Sequence, residues 1–278
     1  MSKPFSGEKR LPIALPDMSL PRSLAFWPEG TLSAGDFVQQ WRRVETLFMA
    51  KVSDHALPES NAIELAGIYL PLAAWIQANR TAGMTVIGIN GAQGSGKTTL
   101  CDFLTLILTS LYGLRVTGFS LDDLYKTRSE RERMAQNVHP LFITRGVPAT
   151  HDIVLGIDTL KALESAEPDT LTALPSFNKA IDDRRPRDEW PVFQGRPDVV
   201  LVEGWCLGSQ AQTAEALICP INDLERLEDA QGIWRTHVND QLNTDYSRLW
   251  AKLDALVMLR SPGMDCVLEW RGLQENKL

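Results

Sequence analysis

The chain opens without any periodic pattern. Pro4, Pro12, Pro16, Pro21 and Pro28 interrupt it, as expected of an arm lying on a surface. Apolar residues then recur at Phe37, Trp41, Val44, Phe48 and Val52, steps of three and four that put them on one face of an amphipathic helix. Leu65, Ile68, Leu72, Trp75 and Ile76 continue the rhythm, with Pro71 expected to kink this second helix or mark a new start. At residues 86–89 the pattern changes to a short β-rich apolar run, which enters a glycine-rich turn and leaves it as a strongly apolar helix that Gly113 stops. Residues 115–119 read as a second strand, 198–203 as a buried parallel strand and 255–259 as another, with polar and apolar residues at helical spacing over 221–253. Such alternation predicts an α/β fold: a three-layer α/β/α arrangement with a mainly parallel sheet, helices on both faces and extra N-terminal helices. Residues 1–35 are expected to form the arm, 36–82 a helical segment packed on the core, and 83–278 the α/β domain.

Composition narrows the class. A chain of 278 residues can fill one sizeable α/β core with an appended helical segment, or at most two small domains. Its 44% hydrophobic and 23% charged content is that of a globular protein. No apolar run reaches the ~18 residues of a membrane span, and the N-terminus carries no signal-peptide core, so the cytoplasm is the expected compartment. Cys101, Cys206, Cys219 and Cys266 are widely spaced and form no CxxC pair, which points away from zinc and disulfide frameworks. A net charge of −7 without a basic run argues against nucleic acid or anionic membranes as partners and leaves small molecules. The oligomeric state has no signature in the sequence.

The candidate chemistry starts in "MTVIGINGAQGSGKTTLCDFLTLIL". Gly91, Gly96, Lys97 and Thr98 satisfy G-x-x-x-x-G-K-[ST] between a strand and a helix, the context that this phosphate-binding P-loop requires. Main-chain N–H groups of Gly91, Ala92, Gln93, Gly94, Ser95 and Gly96 would turn inward around phosphate oxygens, helped by the helix start through Lys97, Thr98 and Thr99. Lys97 would reach the β- and γ-phosphates of a nucleotide such as ATP, and the Thr98 hydroxyl would take Mg²⁺.

The second strand runs into "FSLDDLYKTRSERE", where a carboxylate could take the proton of an attacking hydroxyl, and Asp122 is the candidate base. Asp123 points elsewhere, toward the local turn or metal-bound water; two solvated turn aspartates is the plainer alternative. The run "DVVLVEG" ends on Glu203, a Walker B-type carboxylate able to hold Mg²⁺, against the alternative of a lone strand-end glutamate. Arg145, His151 and Asp152 lie in a proline- and glycine-marked loop that suits substrate binding. His139 and His151, each taken singly, also read as satisfied structural histidines. Lys179, Arg184, Arg185 and Arg187 form a dense basic cluster that could grip a carboxylate or phosphate, or be solvated surface charge.

Ser120, Asp122 and Tyr125 resemble the S-x-D-x-x-Y element of the phosphoribulokinase, uridine kinase and pantothenate kinase superfamily, with Asp122 matching its catalytic aspartate. The similarity is closer to the D-glycerate 3-kinase branch, through "GINGAQGSGKTTL", "FSLDDLYKTRSER", "HPLFITRGVPATHD", "LPSFNKAIDDRRP", "VVLVEGWCLG" and "PINDLE", over roughly residues 60–278. That resemblance implies ATP with Mg²⁺ as donor and D-glycerate as acceptor. It also implies Tyr125, Arg145, His151, Lys179 and Arg184 as substrate contacts, and Arg271 as the arginine that closes a lid over the phosphates. Asn178 stands where the family would have an aspartate before the lysine. Family members usually continue past "SPGMDCVLEWRGLQENKL", so a shortened C-terminus with a poorly anchored lid is a further expectation. The shared aspartate element leaves a pantothenate- or nucleoside-like alcohol open as acceptor, and Asn178 with the short C-terminus leaves open a regulatory module that binds ATP without transfer.

Overall fold

The computed structural model describes residues 20–28 and 30–275, so most of the expected arm lies outside the described residues. After a 3₁₀ turn at Arg22–Phe26, the chain forms α1 (Ala34–Asp54), α2 (Ala62–Ala78), β1 (Thr85–Gly91), α3 (Lys97–Tyr112) and β2 (Val116–Ser120). There follow α4 (Arg128–Asn137), α5 (Ile153–Glu164), β3 (Leu171–Ala173), β4 (Phe177–Asn178), β5 (Asp183–Arg184), β6 (Val192–Gln194) and β7 (Val199–Gly204). The last third holds α6 (Asp223–Glu228), α7 (Ile233–Gln241), a π turn at Leu242–Tyr246, α8 (Ser247–Trp250), β8 (Ala255–Leu259) and α9 (Met264–Glu275).

The central sheet runs β2-β7-β1-β8, and every neighbouring pair is parallel. Its two faces feed two cores because side chains alternate along each strand. Ile87, Ile89, Val199 and Leu201 join Phe37, Trp41, Phe48, Leu70, Phe103 and Ile107 from α1, α2 and α3. Val86, Phe119, Val200 and Val202 face Ile153, Ile157, Leu160, Tyr246 and Leu249 on the opposite side. The result is the expected three-layer α/β/α fold, with both N-terminal helices in the same layer as α3. Among the described residues, no helix is long and apolar enough to cross a membrane.

Two local expectations are corrected. Pro71 does not restart α2: the helix runs through it, with the proline itself buried. Contacts with α1, α3 and the 3₁₀ turn outweigh the ~3 kcal/mol that a proline costs a helix interior. The buried face of α2 is also wider than the spacing implied, taking in Ala62, Ala66, Leu70, Pro71 and Ala73, while Ile68 is 41% exposed. A helix packed on several sides has no single stripe for periodicity to find. The sequence also gave no sign of the two antiparallel hairpins, β3 with β6 and β4 with β5. The second of these carries Lys179 in its turn.

Candidate functional site

The carboxyl ends of β1, β2 and β7 converge, and their register fixes how. Glu203 lies between Ile89 of β1 and Ser120 of β2 in the sheet, so the loop after β1, the turn after β2 and this carboxylate meet at one edge.

The loop after β1 has the shape a phosphate requires. Gly96 precedes α3 with φ +87°, a left-handed conformation that glycine adopts freely. A Cβ on Gly91 would stand 2.5 Å from Ser95 Oγ and 3.0 Å from Leu259 Cβ, so the close approach of β1, loop and β8 requires glycine there. Lys97 folds back over the loop and donates from Nζ to the Ala92 carbonyl at 2.9 Å. Burial pulls its ammonium below the ordinary lysine value, while the Glu203 and Asp122 carboxylates pull it back up. Thr98 Oγ1 donates to Glu203 Oε1 at 2.8 Å. Burial pushes the Glu203 carboxyl up, against that hydrogen bond and the Lys97 charge. Glu203 Oε2 and Ser95 Oγ are buried with no protein partner. Thr99 lies one step further along α3, its hydroxyl 3.5 Å from His55 Nδ1. His55 Nε2 is 3.0 Å from Asp102 Oδ2, which ties the end of α1 to the phosphate-loop helix.

These atoms fit a nucleotide phosphate with a divalent cation. The loop supplies the N-terminal end of α3, entered through a left-handed glycine, for phosphate. One hydroxyl and one carboxylate with an unpaired oxygen form a set suited to Mg²⁺, which keeps waters and shares phosphate oxygens rather than filling an all-protein cage. Among the described residues, no group of three or more His, Cys, Asp or Glu side chains gathers as a metal site.

The turn after β2 is a 3₁₀ turn, Leu121–Leu124, closed by a capping box. Ser120 Oγ accepts from the Asp122 N–H at 3.2 Å, and Asp123 Oδ2 accepts from the Ser120 N–H at 3.1 Å. Asp123 Oδ1 accepts from the Phe177 N–H at 3.3 Å, so this carboxylate joins the turn to β4. Asp122 is left to face outward and takes Lys179 Nζ at 2.7 Å. Burial raises the Asp122 carboxyl, but the hydrogen bond and charge of Lys179, with the Tyr125 hydroxyl, outweigh it and hold it below its ordinary value. Tyr125 is only 5% exposed and stacks on His151 with ring centroids 4.4 Å apart.

The basic cluster does not form one patch. Lys179 has a side chain 61% exposed and points at Asp122. Arg184 donates from Nη2 to the Tyr125 carbonyl at 3.0 Å and to Asp152 Oδ2 at 3.2 Å, while Asp152 caps α5 through Leu155 N–H. Arg185 pairs with Glu189, and Arg187 lies over the Trp190 ring. Arg145 pairs with Asp182 and lies over the Phe177 ring. Asn178 Oδ1 accepts from the Ala180 N–H at 3.0 Å and so serves the hairpin turn. His139 caps a 3₁₀ turn by accepting the Leu141 N–H. Arg271 falls on α9, and its side chain lies outside the described residues.

Three groups around this site have no counterpart in the sequence reading. Arg131, 1% exposed, donates to the carbonyls of Lys126, Ile143 and Asp182 and pairs with the Asp182 carboxylate at 2.9 Å. Asp182, with φ +56°, therefore holds both Arg131 and Arg145, which pins the β4–β5 hairpin against α4. Tyr246, fully buried, reaches the loop before α5 and meets His151 Nδ1 at 2.5 Å. Nothing local marks these residues: Arg131 sits among the charges of "RSERERMAQN", and Tyr246 lies 95 residues from its histidine.

No family model matches the chain. It is 32% identical over 202 residues to the uncharacterized kinase mug58 of Schizosaccharomyces pombe, spanning 69% of this chain and 70% of that one. It is 30% identical over 194 residues to the chloroplastic D-glycerate 3-kinase of Arabidopsis thaliana, spanning 67% of this chain but 40% of the plant protein. Among solved structures, the D-glycerate 3-kinase of Cryptococcus neoformans var. grubii superposes with a TM-score of 0.60 and 28% identity over 77% of this chain and 78% of that one. With 32% identity over about two thirds of both this chain and the Schizosaccharomyces pombe kinase, and a fold shared with the Cryptococcus enzyme, the chain belongs to the P-loop kinase family, on the branch that includes D-glycerate 3-kinase.

Proposed function

We propose that the chain transfers the γ-phosphoryl group of ATP to a hydroxyl of a small anionic metabolite, with D-glycerate as acceptor and 3-phosphoglycerate as product. The observation that supports it most is the Asp122 carboxylate. It is held ionised at the end of β2, paired with an exposed lysine, and acts electrostatically on both Lys97 and Glu203. An ionised carboxylate beside a phosphate-binding lysine is what a hydroxyl acceptor needs: a group to take its proton as oxygen attacks phosphorus.

The roles divide by position. The loop main chain and Lys97 hold the β- and γ-phosphates and neutralise charge on the transferring group. Thr98 and Glu203 would hold Mg²⁺, which supplies further neutralisation of the phosphate oxygens when bound. Asp122 accepts the hydroxyl proton. Lys179, on a hairpin turn with most of its side chain in solvent, is the cation free to swing from Asp122 to the carboxylate of an incoming acid. Arg145 and Arg184 shape the site wall through Asp182, Asp152 and the Tyr125 carbonyl.

The direct test incubates the purified chain with ATP, Mg²⁺ and a panel of hydroxy acids, pantothenate and nucleosides, reading ADP formed per acceptor. D-glycerate is expected to give acceptor-dependent turnover above all others. ADP release that no acceptor stimulates would sink the reading.

A pH profile tests the base. Because the Asp122 carboxyl is held below its ordinary value, the acid limb of kcat/KM from this group should lie below the pH at which a free aspartate titrates. Lys179→Ala removes the two largest influences that oppose burial, leaving the smaller ones of His151 and the Tyr125 hydroxyl, so the carboxyl rises. The acid limb should then move to higher pH. A limb at the same pH in both proteins would mean that Lys179 does not set the state of the base.

A further inference from the structure

Beside Asp122, two aromatic rings enclose an imidazole. His151 is 2% exposed, sandwiched between Tyr125, stacked at 4.4 Å, and Tyr246, edge-on at 5.8 Å. Its Nδ1 meets Tyr246 Oη at 2.5 Å. The same phenolic oxygen accepts the Ala149 N–H at 3.0 Å. Were Nδ1 the donor in that contact, the buried phenolic O–H would meet no other acceptor among the described residues, so the arrangement that pairs the phenol's own proton points it at the imidazole. Nδ1 must be the acceptor in that bond, and the ring proton must sit on Nε2.

Nε2 is buried and has no protein partner, while the Asp122 carboxylate lies within electrostatic reach of the ring. A buried N–H without a partner is costly, and Nε2 therefore stands as a donor available to something that binds. Burial pushes the imidazole down to about 3, so near pH 7 it is neutral and carries one ring proton. Ala149 is itself held at φ +88°, a conformation unfavourable for alanine that the Tyr246 hydrogen bond helps to fix.

We propose that Tyr246 is a positioning residue: it locks His151 in the Nε2–H tautomer, so that a single pre-oriented N–H donor faces the acceptor beside Asp122. The donor's recipient is an oxygen of a hydroxy acid, which rests on the kinase reading above. The tautomer itself does not depend on that reading. In the locked form Nδ1 is capped by the phenol and Nε2 is protonated, so His151 cannot compete with Asp122 for the substrate proton. The facing titratable groups, Tyr125, Tyr246, Asp122 and Lys126, leave the ring uncharged near neutrality.

The experiment is nitrogen NMR of the ¹⁵N-histidine-labelled chain without substrate, with the His151 signals assigned from the spectrum of His151→Gln. The expected pattern is a protonated Nε2 and an unprotonated Nδ1 for His151, and loss of that preference in Tyr246→Phe. Kinetically, Tyr246→Phe should raise the acceptor KM about tenfold, the worth of one well-placed hydrogen bond, with a smaller effect on kcat and none on the KM for ATP. His151→Gln, which keeps an N–H donor, should hold the acceptor KM closer to the parent than His151→Leu. An Nδ1–H tautomer in the parent spectrum overturns the proposal even if Tyr246→Phe fails to fold. So does a Tyr246→Phe protein that changes in Tm alone, with tautomer and acceptor KM untouched. A chain with the expected tautomer that phosphorylates no acid would instead overturn the kinase reading and leave the lock in place.

Discussion

Asp122→Ala should lower kcat by about 10²- to 10⁴-fold, the usual worth of a positioned general base, while leaving ATP affinity within about twofold because the phosphate contacts are made elsewhere. This loss corresponds to roughly 2.7–5.5 kcal/mol of transition-state stabilisation. Its specificity follows from the turn after β2, where the two adjacent carboxylates have separate tasks. Asp123 takes the Ser120 and Phe177 N–H groups, so Asp123→Ala should act on Tm, whereas Asp122 makes no main-chain bond through its carboxylate that the fold depends on. Asp122→Asn is the sharper companion. It keeps an oxygen for Lys179 and the shape of the turn but lacks the charge that accepts a proton, so its kcat should fall nearly as far. Steady-state turnover against a nucleotide-binding titration separates the possibilities. A protein that loses ATP binding together with turnover would place Asp122 in the nucleotide site instead. One that keeps kcat within tenfold would make the chain a transferase with another base, or a nucleotide-binding module whose ATPase activity never passed through this carboxylate.

How far the site could be read from the chain alone follows from how local each part is. The glycine-rich loop is contiguous from Gly91 to Thr98, so spacing was enough to place it between β1 and α3. Glu203 and Asp122 were legible for a related reason: each ends an apolar strand, and in a parallel sheet the carboxyl ends gather on one edge. The basic segment was legible only as charge. Whether Lys179, Arg184, Arg185 and Arg187 share a target depends on which carboxylates stand nearby, and those come from α5, the 3₁₀ turn at Arg187–Glu189 and the β2 turn. Lys179 alone among the four reaches Asp122. Arg131 and Tyr246 were hidden for the same physical reason. A buried arginine satisfied by three carbonyls and a tyrosine bonded across 95 residues have the composition of a solvated helix and a core helix, and only the tertiary arrangement distinguishes them. Pro71 shows the converse, a strong local signal overridden by burial of α2 on several sides.

Lys97→Met should cut kcat by about 10²- to 10³-fold, the range for removing one preorganised donor to developing charge, or ~2.7–4 kcal/mol. It should also weaken ATP binding, the combination that distinguishes it from Asp122→Ala. The substitution keeps the length and apolar stem of the side chain but removes the ammonium. In the structure that ammonium spends one of its three donors on the Ala92 carbonyl, leaving the others for phosphate oxygens in the loop. It therefore contributes more once charge is present to receive it, and more still as charge spreads over the equatorial oxygens during transfer. Stability should respond far less than activity. Burial already disfavours the charged form of Lys97, so replacing it with a thioether removes a desolvation cost while leaving Glu203 and Asp122 less compensated, and Tm should change little. Paired measurement of the nucleotide dissociation constant, single-turnover rate and Tm tests all three points. A Lys97→Met protein that binds ATP as tightly as the parent and loses only stability would mean that the lysine braces the loop through Ala92 and does not touch phosphate. One that loses binding and rate with Tm intact fixes Lys97 on the phosphates, and together with Asp122→Ala it divides the site into a half that holds the donor and a half that takes the proton.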